Sequence, residues 1–219
     1  MKYHIISTSG SGHGAIFTNA EEAREYQKKH PESVYRVLDR IPAKIPPIGR
    51  ADTEEKKGAK TDTVTVYTDG SALNNPGPGG YGVIIRMNGE TREYSQGYQH
   101  TTNNRMEMMA VITSLEELKG HKDKTVTIHS DSQYTINGIV KGWAKGWRAK
   151  GWKKGDGKPA LNPDLWAVLL ELVELFPELN FKWVKGHAGD PLNERADELA
   201  NGAAAGRDML IVDEGYAGR

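Results

Sequence analysis

An α/β fold is predicted for most of this chain: a five-stranded mixed sheet flanked by helices, with a small α+β unit ahead of it. Three observations predict it. Short apolar runs at 64–69, 80–86 and 91–98 follow one another with turn residues between them, the pattern of an antiparallel meander. From residue 103 onward helical periodicity alternates with strand-like runs at 125–130 and 180–184, which lays helices across the sheet and mixes its strand directions. The stretch PPIGRADTEEKKGAKTD, residues 46–62, has prolines first and charges afterwards and little to bury, so it reads as a linker between two units.

Taken in chain order, residues 1–45 read as strand Tyr3–Ser7, a glycine turn, strand Ala15–Thr18, helix Glu21–His30 and strand Val34–Leu38. Asn19 suits the helix N-cap, and Glu21 and Glu22 in the first turn complement the macrodipole. In the second unit, residues 63–205, the first strand carries Val64, Val66 and Tyr67 and ends on Asp69 with Gly70 behind it. NPGPGGYG, residues 75–82, concentrates Gly and Pro as a tight hairpin requires. The helix at 103–119 gathers Met106, Met109, Ala110, Ile112 and Thr113 on one face. Strand 125–130, helix 132–142, helix 163–176, strand 180–184 and helix 191–205, with its stripe Leu192, Ala196 and Leu199, complete the unit. The tail 206–219 is expected to be mobile.

Composition excludes several kinds of chemistry. At 219 residues with 37% apolar and 26% charged content, the chain is a soluble globular one, and no apolar run approaches the roughly 18 residues that cross a bilayer. The N-terminal MKYHIISTSGSGHG is too weakly apolar for a secretory leader, so a cytoplasmic monomer without membrane contact is expected. There is no cysteine, which removes thiolate chemistry and Cys-based zinc sites. Charge balances, 29 basic against 29 acidic residues, but not locally. Lys141, Lys145, Arg148, Lys150, Lys153, Lys154 and Lys158 face only Asp156, with Trp143, Trp147 and Trp152 interleaved.

Four acids stand in unusual places. Asp69 and Asp131 each end an apolar strand, Glu107 interrupts an apolar helix face, and Asp197 follows Ala196 on the last helix. Burial disfavours an ionised carboxyl unless a positive charge compensates. Oxygen-only ligands suit a hard cation, magnesium in particular. Taken alone, Asp131 reads more readily as a turn former or N-cap, and Glu107 as a residue reaching for solvent. Asn74, Asn75 and the TTNNR run at 101–105 offer neutral amides and hydroxyls of the kind that contact sugars and phosphates, although each also suits an ordinary turn.

YTDGS, NPGPGGYG, TTNNRMEMMA, SDSQY, the Trp- and Lys-rich segment and VKGHAGDPLNERADELA occur in the order and spacing of type 1 ribonuclease H, the endonuclease that cuts RNA in RNA–DNA hybrids. The chain resembles that family over residues 63–205. The resemblance implies a ribonuclease H-like fold and a tetrad of Asp69, Glu107, Asp131 and Asp197 that holds two Mg2+ ions, with Mn2+ as a substitute. It implies that His187 assists proton transfer or product departure, that Asn75, Asn103 and Asn104 approach RNA 2′-hydroxyls, and that Thr102 grips a DNA phosphate. Gly70 and Gln133 match further substrate-side positions, and Trp143, Trp147, Lys145, Lys153 and Lys154 match the basic protrusion beside the DNA strand. His100 stands where family members commonly have arginine, which implies a weaker or pH-sensitive phosphate grip. The other histidines have no metal-ligand spacing. The N-terminal unit is similar to a divergent hybrid-binding domain, without the tryptophan expected near Asn19, and implies contact with hybrid or double-stranded RNA. Two rivals keep a place: another polynucleotidyl transferase of the same fold, which lacks the TTNNR and GHAGDPLNERADE contexts, and a catalytically silent hybrid-binding module, which the intact acids oppose.

Overall fold

Side chains alternate across a strand, so Val64 and Val66 face one side of the sheet while Tyr67 faces the other. All three are buried, which requires a cover on both faces. The computed structural model describes residues 3–7, 14–17, 25, 34–38, 63–186, 188–206 and 210–216. It divides into two units, Met1–Lys60 and Thr61–Arg219. In the first, β1 (Tyr3–Ser7) is the centre of an antiparallel sheet between β2 (Gly14–Phe17) and β3 (Val34–Leu38). The predicted helix Glu21–His30 and the linker lie outside the described residues, apart from Glu25, which is helical.

In the second unit β4 (Thr63–Ala72), β5 (Gly77–Met87) and β6 (Glu90–Thr101) form the expected antiparallel meander. β7 (Thr125–Ser130) adds parallel to β4, and β8 (Leu179–Trp183) adds parallel to β7. The five-stranded mixed sheet has the order β6-β5-β4-β7-β8. One face carries the main core: Val64, Val66, Val83, Ile85, Val126 and Ile128 meet helix α1 (Asn103–Glu117) through Met106, Ala110 and Leu115. α2 (Gln133–Val140), α3 (Trp143–Ala149) and α4 (Pro163–Glu174) extend that layer, with Trp166 wholly buried among them. On the opposite face Tyr67 and Ile84 pack on Ala196 of α5 (Pro191–Ala205).

Caps set the helix starts. The Thr102 hydroxyl accepts from the Arg105 N–H at 3.4 Å, and the Asp190 carboxylate accepts from the Leu192 N–H at 3.1 Å ahead of Pro191. At α2 the cap is Ser132, whose hydroxyl accepts from the Thr135 N–H at 3.3 Å.

Two expectations change, at the end of β4 and in the tail. β4 continues to Ala72, so Asp69 sits within a paired strand, opposite Gly82, rather than at its tip. The basic segment forms its own short helix, α3, in which Trp147 turns edge-on to Trp166 at 6.0 Å, and with Trp152 it packs against the core. Of the three tryptophans only Trp143 is exposed. The tail is docked instead of mobile at its described residues: the Ile211 N–H donates to Gly97 O at 3.0 Å, and Asp213 is buried against Arg105.

Candidate active site

Asp69 is brought into company by its neighbours on both faces of the sheet. Gly70 has no side chain, and the backbone of Met106 and Glu107 occupies the place where a Cβ would stand. Helix α1 therefore lies against the strand itself, with Glu107 beside Asp69. On the other face Gly82, the partner of Asp69 across the ladder, lets the Ala196 carbonyl of α5 come equally close, which delivers Asp197. Parallel pairing of β4 with β7 ends with Thr68 opposite Ser130, so that Asp69 and Asp131 follow side by side at the same end of that ladder. Oxygens of Asp69, Glu107 and Asp131 lie within 4.8 Å of one another, close enough to hold one metal ion.

The electrostatics are self-repelling. Burial, then Asp131 and Asp197, push the Asp69 carboxyl up to about 8, although the Gly70 N–H donates to it at 2.8 Å. Burial, then Asp69 and Asp131, raise Glu107 well above the ordinary carboxylate range. Glu107 Oε2 is buried without a hydrogen-bond partner among the described residues. An orphaned carboxyl oxygen inside an all-oxygen cluster fits a hard divalent cation, which would supply the positive charge that stabilises the ionised form.

Asp197 stands outside that triad of oxygens but close enough for its charge to raise the Asp69 carboxyl. The Asn201 amide donates to Asp197 Oδ1 at 2.8 Å. His187 lies outside the described residues. The chain leading to it is tied to the site: the Trp183 indole N–H donates to the Asp131 carbonyl at 3.1 Å, and Gly186 lies where any Cβ would strike the Asp131 carboxylate.

The expected substrate residues form a second group on the same side of β4. Asn75 Oδ1 accepts from the Asn103 N–H at 3.1 Å, and Asn103 Oδ1 accepts from the Ala72 N–H. Each side chain is thereby turned with its Nδ2 left to donate. Asn75, Thr102, Asn104, Asn162 and Tyr216 line a cavity of about 360 Å3. Gln133 is exposed at the start of α2, as are Trp143, Lys145 and Lys153, while Lys154 is half-buried. Trp147 is half-buried and packs edge-on to Trp166, and Gly70 admits the close approach of α1.

Sequence reasoning missed the cavity floor. The Arg105 guanidinium is 2% exposed and donates to Asp213 at 2.7 Å and to Asp164 at 2.7 and 3.0 Å. Burial works against an ionised Asp213, but the hydrogen bonds from Arg105 and Thr101 outweigh it and hold the carboxyl below its usual range. With both edges of the guanidinium committed, Arg105 organises the cavity instead of binding an anion there. An arginine inside the TTNNR motif was the available signal; its partners, far away in the chain, gave none.

A family model described as RNase H matches residues 61–205. The chain belongs to the ribonuclease H family. Ribonuclease H from Desulforamulus reducens is 55% identical over 141 residues, 64% of this chain and 87% of that one. Ribonuclease H from Syntrophus aciditrophicus is 52% identical over 153 residues, covering 70% and 86%. Among solved structures, LC9-RNase H1, described as a type 1 RNase H with the type 2 active-site motif, is 32% identical with a TM-score of 0.55, covering 72% of this chain and 81% of that one. Among the described residues of this ribonuclease H, no helix is long and apolar enough to cross a membrane.

Proposed function

We propose that this ribonuclease H hydrolyses the RNA strand of RNA–DNA hybrids, leaving 5′-phosphate and 3′-hydroxyl ends, and that Asp69, Glu107, Asp131 and Asp197 hold two Mg2+ ions for that reaction, with Mn2+ as a substitute. The observation that carries this reading is the convergence of three buried or half-buried carboxylates with an unpartnered Glu107 oxygen. When bound, such ions activate water and stabilise the leaving oxygen of an in-line displacement. The carboxylates position the ions and do not themselves attack. Because Ser132 caps α2, the alternative role of Asp131 as the N-cap falls away.

The amide Nδ2 atoms of Asn75 and Asn103 present donors to RNA 2′-hydroxyls, which is where RNA differs from DNA. Asn104, on the same cavity wall, joins them in approaching the RNA 2′-hydroxyls, Thr102 grips the DNA phosphate, and Gln133 adds a further substrate contact. Trp143, Lys145, Lys153 and Lys154 carry a sequence-independent attraction for the backbone. His187 moves a proton at the leaving oxygen, and residues 1–45 add a second contact for hybrid or double-stranded RNA.

A gel assay with strand-labelled hybrid, with and without Mg2+, tests the proposal. Metal-dependent loss of the RNA strand, with single-stranded RNA and the DNA strand intact, is expected. Binding without cleavage would select the silent hybrid-binding module, and cutting of DNA would select another transferase of the same fold.

A further inference from the structure

Ser71 lies two residues beyond Asp69 on β4 and so shares its face of the sheet, the face that α5 covers. Its hydroxyl donates to Asn201 Oδ1 at 2.7 Å. That bond decides which way the Asn201 amide faces: with Oδ1 engaged by the strand, Nδ2 is turned to Asp197 Oδ1, one helical turn earlier. The result is a relay, Ser71 to Asn201 to Asp197, that spans strand and helix and ends on the acid beside Asp69. As a helix-stabilising pair, an amide and a carboxylate four residues apart contribute little. Stability gives little reason for the arrangement. Orientation gives a better one, because an N–H donor on one oxygen fixes the carboxylate plane and leaves the second oxygen to coordinate.

We propose that Asn201, aimed by Ser71, is a positioning residue of the metal centre, holding Asp197 oriented as a single-oxygen ligand. The inference rests on the metal-binding reading of the four acids. Neither Ser71 nor Asn201 touches the reacting atoms.

The test is calorimetric titration of the full-length protein with MgCl2 and with MnCl2, without nucleic acid, for the unmodified chain, Ser71→Ala, Asn201→Ala and the double variant. Each single variant is expected to raise the metal Kd on the order of 10-fold. The double variant should match Asn201→Ala, since the two groups act in series. Metal-free Tm should shift by no more than about 2 °C. In hybrid cleavage, kcat at low Mg2+ should fall and recover at high Mg2+, with KM for hybrid unchanged. Unaltered metal Kd in Ser71→Ala and Asn201→Ala overturns the proposal, as does a raised KM with unchanged metal affinity, which would make these residues substrate contacts. If Asn201→Ala does not fold, Ser71→Ala alone decides by the same reading of Kd. Failure of the unmodified protein to bind either metal would instead remove the metal centre on which the relay acts.

Discussion

Asp69 is the residue at which opposing requirements meet. It pairs within a strand, is buried, and faces three further acids, so its ionised form is disfavoured until a cation arrives. The sign of the resulting pH dependence follows from proton counting. With its carboxyl pushed up to about 8, the metal-free folded protein holds a proton that the unfolded chain has already lost. This contribution is complete below the ordinary carboxylate range and disappears as pH rises through about 8. Thermal melts in chelator should therefore show Tm falling between pH 5 and 8, and Mg2+ should reduce the fall; a Tm rising over that window without metal would contradict the assignment. At this scale the sequence identified the four acids but misplaced one detail. Asp69 looks like a strand end because Gly70 follows it, yet Gly70 is there to admit α1, and the strand runs on. Whether Asp131 caps a helix was likewise undecidable from residue types, because Asp131 and Ser132 are adjacent and both are good caps.

Elements position the site by approaching one another at backbone distance. Gly70→Ala would push α1 from β4, with an overpacking cost of about 1–3 kcal/mol. It should also reduce cleavage more than it reduces hybrid binding, measured side by side, because Glu107 rides on the displaced helix. The basic helix α3 and the turn after it make a different prediction. Replacing Lys145, Lys153 and Lys154 by Ala should lower the slope of log K against log salt for hybrid binding by about 1 for each phosphate that a lysine no longer neutralises. An unchanged slope would remove that surface from the interface. Trp147 was indistinguishable from Trp143 in the sequence, since both lie in the same KGW repeat. Which one packs depends on Trp166, 19 residues further on, and no local pattern encodes that.

For the molecule as a whole, the tail and the N-terminal unit matter most. Short-range composition makes the tail look unanchored, yet Asp213 crosses 108 residues of sequence to reach Arg105. A single long-range ion pair leaves no periodic trace, which is why the sheet was legible and the docked tail was not. Asp213→Ala leaves a buried guanidinium with half its partners, which should cost about 3–5 kcal/mol in denaturant unfolding; a loss below about 1 kcal/mol would show that Asp164 suffices. Because the family match begins at residue 61, where the second unit also begins, removing residues 1–60 should preserve single-turnover cleavage and lower processivity.

The most direct trial of the metal centre is Asp69→Asn, an isosteric change that deletes one anion from the cluster. Hybrid cleavage measured at saturating Mg2+ alongside hybrid binding should show turnover abolished with affinity retained. Full turnover by Asp69→Asn would contradict the account.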